Sequence, residues 1–164
     1  NNILLPVCFL NIGGISNITI VSNSVGSTEI FSKDLGPGNC LIDTWVRKNS
    51  NKKFDMNGGM ALSGKKNEII FEQLFLSLKE KKKIKNILVC GGGRKNKVLL
   101  NKIKEYLPTE VNLILIDDHK INGDFVESQA FAFLAIRSLL KLPISFPETT
   151  GCLRPSTGGE IVEN

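Results

Sequence analysis

Asp34-Leu35-Gly36-Pro37-Gly38-Asn39, followed at once by Cys40-Leu41-Ile42-Asp43-Thr44-Trp45-Val46, is where the chain changes from strand-like to helical patterning. Glycines at 36 and 38 permit positive φ or close approach of backbone to a ligand, and Pro37 stiffens the link between them. Asn39 is a good N-cap residue for the helix that follows, expected to run to about Lys48. A glycine-rich loop opening a helix aims unpaired N–H groups and the positive helix end at one spot, which suits a phosphate. A tight turn with no ligand explains the same residues equally well. Upstream, Pro6 to Ile12, Asn17 to Val21 and Thr28 to Lys33 are short β-prone runs with brief connections, so they predict three antiparallel neighbours. Downstream, Ile84 to Cys90 and Val111 to Ile116 read as strands, each followed by a helical stretch. Three antiparallel strands followed by a βαβα alternation imply an α/β fold, a mixed five-stranded sheet with helices on its faces. Such sheets bind ligands at loops leaving the strand ends.

The helices are marked by caps and stripes. Asn67 is expected to cap a helix to about Lys82, with Ile70, Leu74 and Leu78 on one face. Asn96 caps another, with Leu99, Ile103 and Leu107 as its stripe before Pro108. A last helix is expected from Asp124 to about Lys141, and its middle, Ala130 to Ile136, is apolar on nearly every side and so predicts burial. Asn49 to Lys66 and the tail from Leu142 read as irregular.

Residues 1–164 predict one domain, with 41% hydrophobic and 23% charged residues in the range of folded globular chains. The longest apolar runs fall far short of the roughly 20 residues that span a membrane, and there is no secretory signal pattern. Cys8, Cys40, Cys90 and Cys152 are scattered and His119 is the lone histidine, which points away from metal centres and disulfides and towards reduced thiols in cytosol. The net charge of +5 comes mainly from lysines in separated runs without interleaved aromatics, so solvated surface is expected rather than nucleic-acid binding. The first residue is Asn, and a strand begins within a few residues, as in a piece of a longer polypeptide.

Two more glycine stretches follow strands: Asn11-Ile12-Gly13-Gly14 and Cys90-Gly91-Gly92-Gly93-Arg94. With Gly36 to Asn39 they would put three bare-backbone turns on one sheet, an arrangement that suits a phosphate and a sugar-base unit. Neither G-x-x-x-x-G-K-[ST] nor G-x-G-x-x-G is present. Asp43, one turn into its helix, is placed to hold a metal-bound water, and interaction with the helix dipole explains it equally. Asp124-Phe125-Val126-Glu127 matches a D-x-x-E capping box, which alone would account for both acids. Trp45 is expected in the core with Leu41 four residues back.

Asn11-Ile-Gly-Gly-Ile-Ser-Asn-Ile-Thr, Asp34-x-Gly-Pro-Gly-Asn-x-Leu-Ile-Asp-Thr-Trp, Val89-Cys-Gly-Gly-Gly and Phe125-Val-Glu-Ser-Gln-Ala-Phe-Ala-Phe-Leu-Ala resemble, in order, the anhydro-N-acetylmuramic acid kinases. That family belongs to the actin-like, hexokinase-like ATPases, whose repeated ribonuclease H-like lobes carry this type of sheet. The resemblance implies a bacterial cytoplasmic enzyme of peptidoglycan recycling that opens the 1,6-anhydro ring of anhydro-N-acetylmuramic acid with water and phosphorylates O6 from ATP with Mg²⁺. In the family's terms Asn11, Gly13 and Gly14 would approach the phosphates; Gly36, Pro37, Gly38 and Asn39 the nucleotide; Gly91, Gly92 and Gly93 the adenosine; and Glu127 the sugar. Family members are about twice as long. The resemblance therefore makes this chain the second, C-terminal lobe, without the N-terminal lobe or the aspartate that acts as base. No catalytic residue is expected in it, and no kinase activity from it alone. Family members resemble dimers, so a homodimer is implied. The alternative is a non-catalytic nucleotide- or sugar-binding remnant.

Overall fold

The computed structural model describes residues 3–24, 27–65, 84–160 and 162. The helix expected over 67–82 lies outside them. Strands β1 (Val7–Ile12), β2 (Ile15–Ser24), β3 (Ser27–Pro37), β4 (Asn86–Cys90) and β5 (Asn112–Leu115) form one sheet in the order β3-β2-β1-β4-β5. β1 pairs antiparallel with β2, and β2 with β3, whereas β1–β4 and β4–β5 are parallel. The mixed five-stranded sheet expected from the element order is therefore present, with β1 at its centre. Val7, opposite Val21 on one side and Asn86 on the other, sets the register.

The core sits where this central strand meets β4. Val7, Cys8, Ile12, Ile20, Leu88, Val89 and Cys90 are buried, together with Val46 of helix α1 (Asn39–Asn49) and Ile116. Three consecutive buried residues in β4 mean that both faces of that strand are covered, as inner parallel strands require. Helix α1 ends where side chains take over its last carbonyls: Asn49 Nδ2 donates to Trp45 O at 2.9 Å and Ser50 Oγ to Val46 O at 2.8 Å. Trp45 and Leu41 face solvent, 57% and 63% exposed. The expected core place for Trp45 is thus wrong, because Val46 holds the inward position of that turn.

Several elements differ from their sequence-based boundaries. β3 does not stop at Lys33 but runs on through Pro37. Its pairing with β2 shifts between Ser16 and Asn17, which face Gly36 and Asp34, so Leu35 is the extra residue of a β-bulge. Pro37 is tolerated because β3 is an edge strand. The 49–66 connection is ordered by one residue: Asp55, nearly buried, accepts from Met60 N–H at 2.7 Å and from Ala61 N–H at 3.0 Å. Those bonds hold a 3₁₀ turn (Met56–Gly58) and the short helix α2 (Gly59–Ser63). Helix α3 (Lys97–Tyr106) has the expected cap, with Asn96 Oδ1 accepting from Leu99 N–H at 3.1 Å.

The last long helix, α4 (Val126–Leu139), starts two residues later than expected and is not buried. Val126, Leu134, Arg137 and Ser138 make its half-buried side. Phe133, Ile136, Leu139 and Leu140, 57–63% exposed, line the opposite one. The tail is not irregular either. Ser145 and Ser156 form an antiparallel bridge around the short helix α5 (Pro147–Thr150), which lies against β3. Arg137 secures this tail: its Nε donates to Pro143 O at 2.6 Å, and its guanidinium stacks over Phe133 and Phe146. Among the described residues no helix is long and apolar enough to cross a membrane.

Candidate functional site

The three glycine stretches meet at the C-terminal ends of β1 and β4. Gly38 N–H donates to Gly14 O at 2.9 Å, Asn39 N–H to Gly13 O at 2.8 Å, and Cys40 N–H to Gly14 O at 3.3 Å. Asn39 Nδ2 donates to Ile12 O at 3.0 Å. From the β4 side, Gly93 is buried against the Ile12 side chain, and the space a Cβ at Gly92 would take lies 3.6 Å from Asn39 Nδ2. One compact rim therefore joins the turn after β1, the entry to α1 and the turn after β4.

The chemistry of that rim departs from expectation at one point. The residue flanking α1 is Gly38, which makes no side-chain cap; Asn39 is already helical and its amide is committed to Ile12. Three of the four N–H groups that open a helix, those of Gly38, Asn39 and Cys40, are bonded to the Gly13 and Gly14 carbonyls. The free donor array expected for a phosphate thus shrinks to Leu41 N–H at this helix end. What remains is the end-on field of α1 and the bare surface of the turns.

Two hollows flank the rim, and Gly92 lies in the wall of both. The first, about 560 Å³, lies between the inner half of α1 and the 53–57 segment, with Asn39, Asp43, Arg47, Lys53, Lys95 and Asn96 in its wall. Asp55 also lines it, but both its carboxylate oxygens are taken by Met60 and Ala61. Arg47 and Lys53 face the carboxylates of Asp43 and Asp55, and Lys95 is paired with Asp124 at 2.8 Å. The side-chain charges therefore nearly balance, and the positive end of α1 is what favours an anion here. The second, about 650 Å³, lies over the face of β1, β2 and β3 bearing Phe9, Asn11, Asn17, Thr19 and Ser32, with Glu127 and Thr149 at its sides. Its lining mixes hydrogen-bonding groups with apolar Phe9, Val21, Ile30, Ile116 and Val126, and its charged residues are Arg94, Asp124 and Glu127; Thr19 Oγ1 and Ser32 Oγ lie 3.0 Å apart.

Of the residues singled out from the sequence, Asn39, Asp43 and Gly92 line the first hollow, and Asn11, Gly91, Gly92 and Glu127 the second. Gly13, Gly14, Gly38 and Gly93 form the rim, whereas Gly36 and Pro37 pair with Ser16 and Ile15 in the edge strand and line neither hollow. Asp43 shares its hollow with Asp55, whose oxygens are taken by Met60 and Ala61 N–H, and among the described residues no three His, Cys, Asp or Glu cluster so as to hold a metal. Asp43 fits only a Mg²⁺ whose other ligands are phosphate oxygens and water.

The D-x-x-E capping box is not formed. The residue flanking α4 is Phe125, without a side-chain cap. The Asp124 carboxylate instead receives Arg94 Nη2 at 3.0 Å and Lys95 Nζ at 2.8 Å. Arg94 also gives Nε to Asp117 Oδ2 at 2.8 Å, and Asp117 Oδ1 accepts from Gly123 N–H at 3.2 Å. Arg94 closes the third glycine stretch but had no role marked there, and Lys53 and Asp55 belong to no periodic or motif signal.

These contacts shift protonation. The Arg94 hydrogen bond holds Asp117 below the ordinary carboxylate range, and Lys95, then Arg94, do the same for Asp124. Burial pushes the Cys8 thiol up to about 11 and raises Cys90 as well, so neither is poised as a thiolate. A carboxylate whose pKa is depressed by folding contributes stability above its unfolded value, about 3.9, and loses it as pH falls through the folded one. Asp117→Asn should therefore flatten the acid limb of the stability curve. Thermal midpoints between about pH 6 and pH 3 should fall less in the variant than in the parent; equal slopes would contradict the assignment.

Residues 5–78 and 70–164 match the family model described as anhydro-N-acetylmuramic acid kinase. A protein of that description from Pelagibacter ubique is 40% identical over all of this chain and 57% of its own length. One from Brucella canis is 32% identical over 94% of the chain and 53% of its own, and one from Caulobacter vibrioides 29% over 96% and 53%. The chain thus spans about half the length of the curated relatives it matches. The Pelagibacter alignment runs over 215 positions against 164 residues here, and the two matched stretches overlap at 70–78. The relative therefore carries an internal segment that this chain lacks.

Proposed function

The chain belongs to the anhydro-N-acetylmuramic acid kinase family, and from that premise we propose that it is the C-terminal, nucleotide-binding lobe of a bacterial cytoplasmic sugar kinase of peptidoglycan recycling. The reaction would be the family's: ATP-dependent opening of the 1,6-anhydro ring by water and phosphorylation of O6. The observation that carries the reading is the shared rim with its two unlike hollows. The first hollow, with the N-terminal end of α1, Arg47 and Lys53 in or beside its wall, suits the nucleotide. The second hollow, where Asn11, Asn17, Thr19 and Ser32 offer hydrogen-bonding groups beside apolar Val21 and Ile30, suits the acetamido group, ether oxygens and carbon skeleton of the sugar, with Glu127 at its side. Gly92, in the wall of both, sits where the transferred group would pass. When Mg²⁺ accompanies ATP it offsets charge on the phosphates, and Asp43 is the carboxylate placed to meet it.

The lobe supplies positioning and no base. Phosphoryl transfer depends on alignment of both reactants, so half a cleft gives little rate. The exposed apolar side of α4, with Phe133, Ile136, Leu139 and Leu140, is the surface the other lobe of the family would cover. A second copy of this chain, as in the homodimer the family resemblance implies, would compete for it.

Calorimetric titration of the chain with Mg·ADP tests the reading. Weak, saturable binding is expected, together with no phosphorylated sugar when ATP and the anhydro sugar are added to this chain alone. Failure to bind ADP at millimolar concentration would remove the nucleotide assignment, and product formation would remove the half-cleft argument. The positions that this chain lacks relative to the Pelagibacter protein favour a second reading, a non-catalytic binding remnant, for which tight binding without any rescue of activity by an added N-terminal lobe is expected.

A further inference from the structure

We propose that Arg94 is a positioning residue that locks the glycine turn between the two hollows to the start of the helix bearing Glu127. Arg94 is 6% exposed, rare for arginine, and has no part in the binding roles given above. Its guanidinium spends its donors on three separate pieces of chain. Nη1 donates to Gly91 O at 3.1 Å, within the turn after β4. Nε donates to Asp117 Oδ2 at 2.8 Å, just past the end of β5. Nη2 donates to Asp124 Oδ1 at 3.0 Å, two residues before α4.

The neighbouring chain is shaped to this side chain. A Cβ on Gly123 would lie 2.6 Å from Arg94 Cζ and 2.9 Å from Nη2, so only glycine lets the backbone pass there. Asp117 Oδ1 then takes the Gly123 N–H, which ties the same loop a second time. Among the described residues no buried side-chain N or O atom lacks a partner, so the cluster is fully satisfied. A lysine could not do this, since one ammonium on a flexible stem cannot present the planar fork that reaches all three acceptors. The turn carrying Gly91 and Gly92 and the helix carrying Glu127 are joined in this way as one unit. Resting on the kinase-lobe reading, this fixes the separation between nucleotide and sugar.

Hydrogen exchange followed by mass spectrometry on the whole chain tests the tie without needing a ligand. Arg94→Met should speed exchange in peptides covering 91–95 and 124–129 by roughly ten- to a hundredfold, the range for losing hydrogen bonds to a charged group. Peptides from β1 and β2 should stay unchanged. Asp124→Asn, which leaves the Asp117 pair intact and keeps the test open should Arg94→Met not fold, should speed exchange at 124–129 only. Arg94→Lys should restore protection in one of the two segments at most. A uniform change along the chain, or none in either segment, would overturn the proposal. In the same samples Arg94→Met should weaken Mg·ADP at least about tenfold more than Asp124→Asn; equal affinities would refute the functional half. If the parent chain binds no ADP, the kinase reading fails while the exchange pattern still decides the tie.

Discussion

Gly91→Ala is expected to cost on the order of 2–6 kcal/mol of folding stability, enough to unfold a marginal domain. Gly91 has φ 77° and ψ 173°, a region that only glycine occupies without strain. Strain of that kind costs about 1–3 kcal/mol. A methyl there would also lie 2.7 Å from the Ile12 carbonyl oxygen and 2.8 Å from its carbon, besides meeting Asn11 Oδ1. Backbone at the end of a central strand cannot step aside as a side-chain tip can, so overpacking adds about 1–3 kcal/mol more. Urea titration of parent and variant measures the sum. A loss under about 1 kcal/mol would mean that the turn can adopt another shape, and that its tight fit against Ile12 is not what holds β1 and β4 ends together.

The mixed sheet and the meeting of the glycine turns were readable from sequence because both follow from local pattern plus topology. Short connections force β1, β2 and β3 to be antiparallel neighbours, and a βαβ crossover puts β4 beside β1. The C-terminal ends of two parallel neighbours then bring Gly13-Gly14 and Gly91 to Gly93 together. What sequence reading missed depends on partners distant along the chain. Asp124 and Glu127 have the spacing of a capping box, but Arg94, thirty residues earlier, takes the Asp124 carboxylate. Asn39 has the composition of an N-cap, but the Ile12 carbonyl lies within reach of its amide. Gly36 and Pro37 look like loop residues, yet a bulge at Leu35 and an edge position let the strand run through them. Asp55 organises its segment from within a polar stretch that shows no period. For α4 the apolar composition predicted burial, yet Phe131, Phe133 and Ile136 are exposed, because what a helix packs against is not encoded in the helix itself.

Gly92→Ala is expected to leave folding within about 1 kcal/mol of the parent and to weaken Mg·ADP by roughly tenfold or more. The contrast with Gly91 is what makes this variant informative. Gly92 is exposed, has no positive φ, and its Cβ would meet nothing closer than Asn39 Nδ2 at 3.6 Å, an ordinary van der Waals distance. Gly14, on the same rim, has nothing within 4 Å of a Cβ and no positive φ. The fold therefore gives neither position a reason to be glycine, and alanine could even add about 0.4–1 kcal/mol by restricting the unfolded chain. A ligand approaching bare backbone supplies the missing reason at Gly92, which lines both hollows. A methyl there would stand between the nucleotide and the turn, at a cost read in affinity and not in stability. If Gly92→Ala and Gly14→Ala both fold like the parent and both bind ADP like the parent, these glycines are turn residues and nothing more. The rim would then be a packing feature of the sheet, and the nucleotide would have to be placed elsewhere.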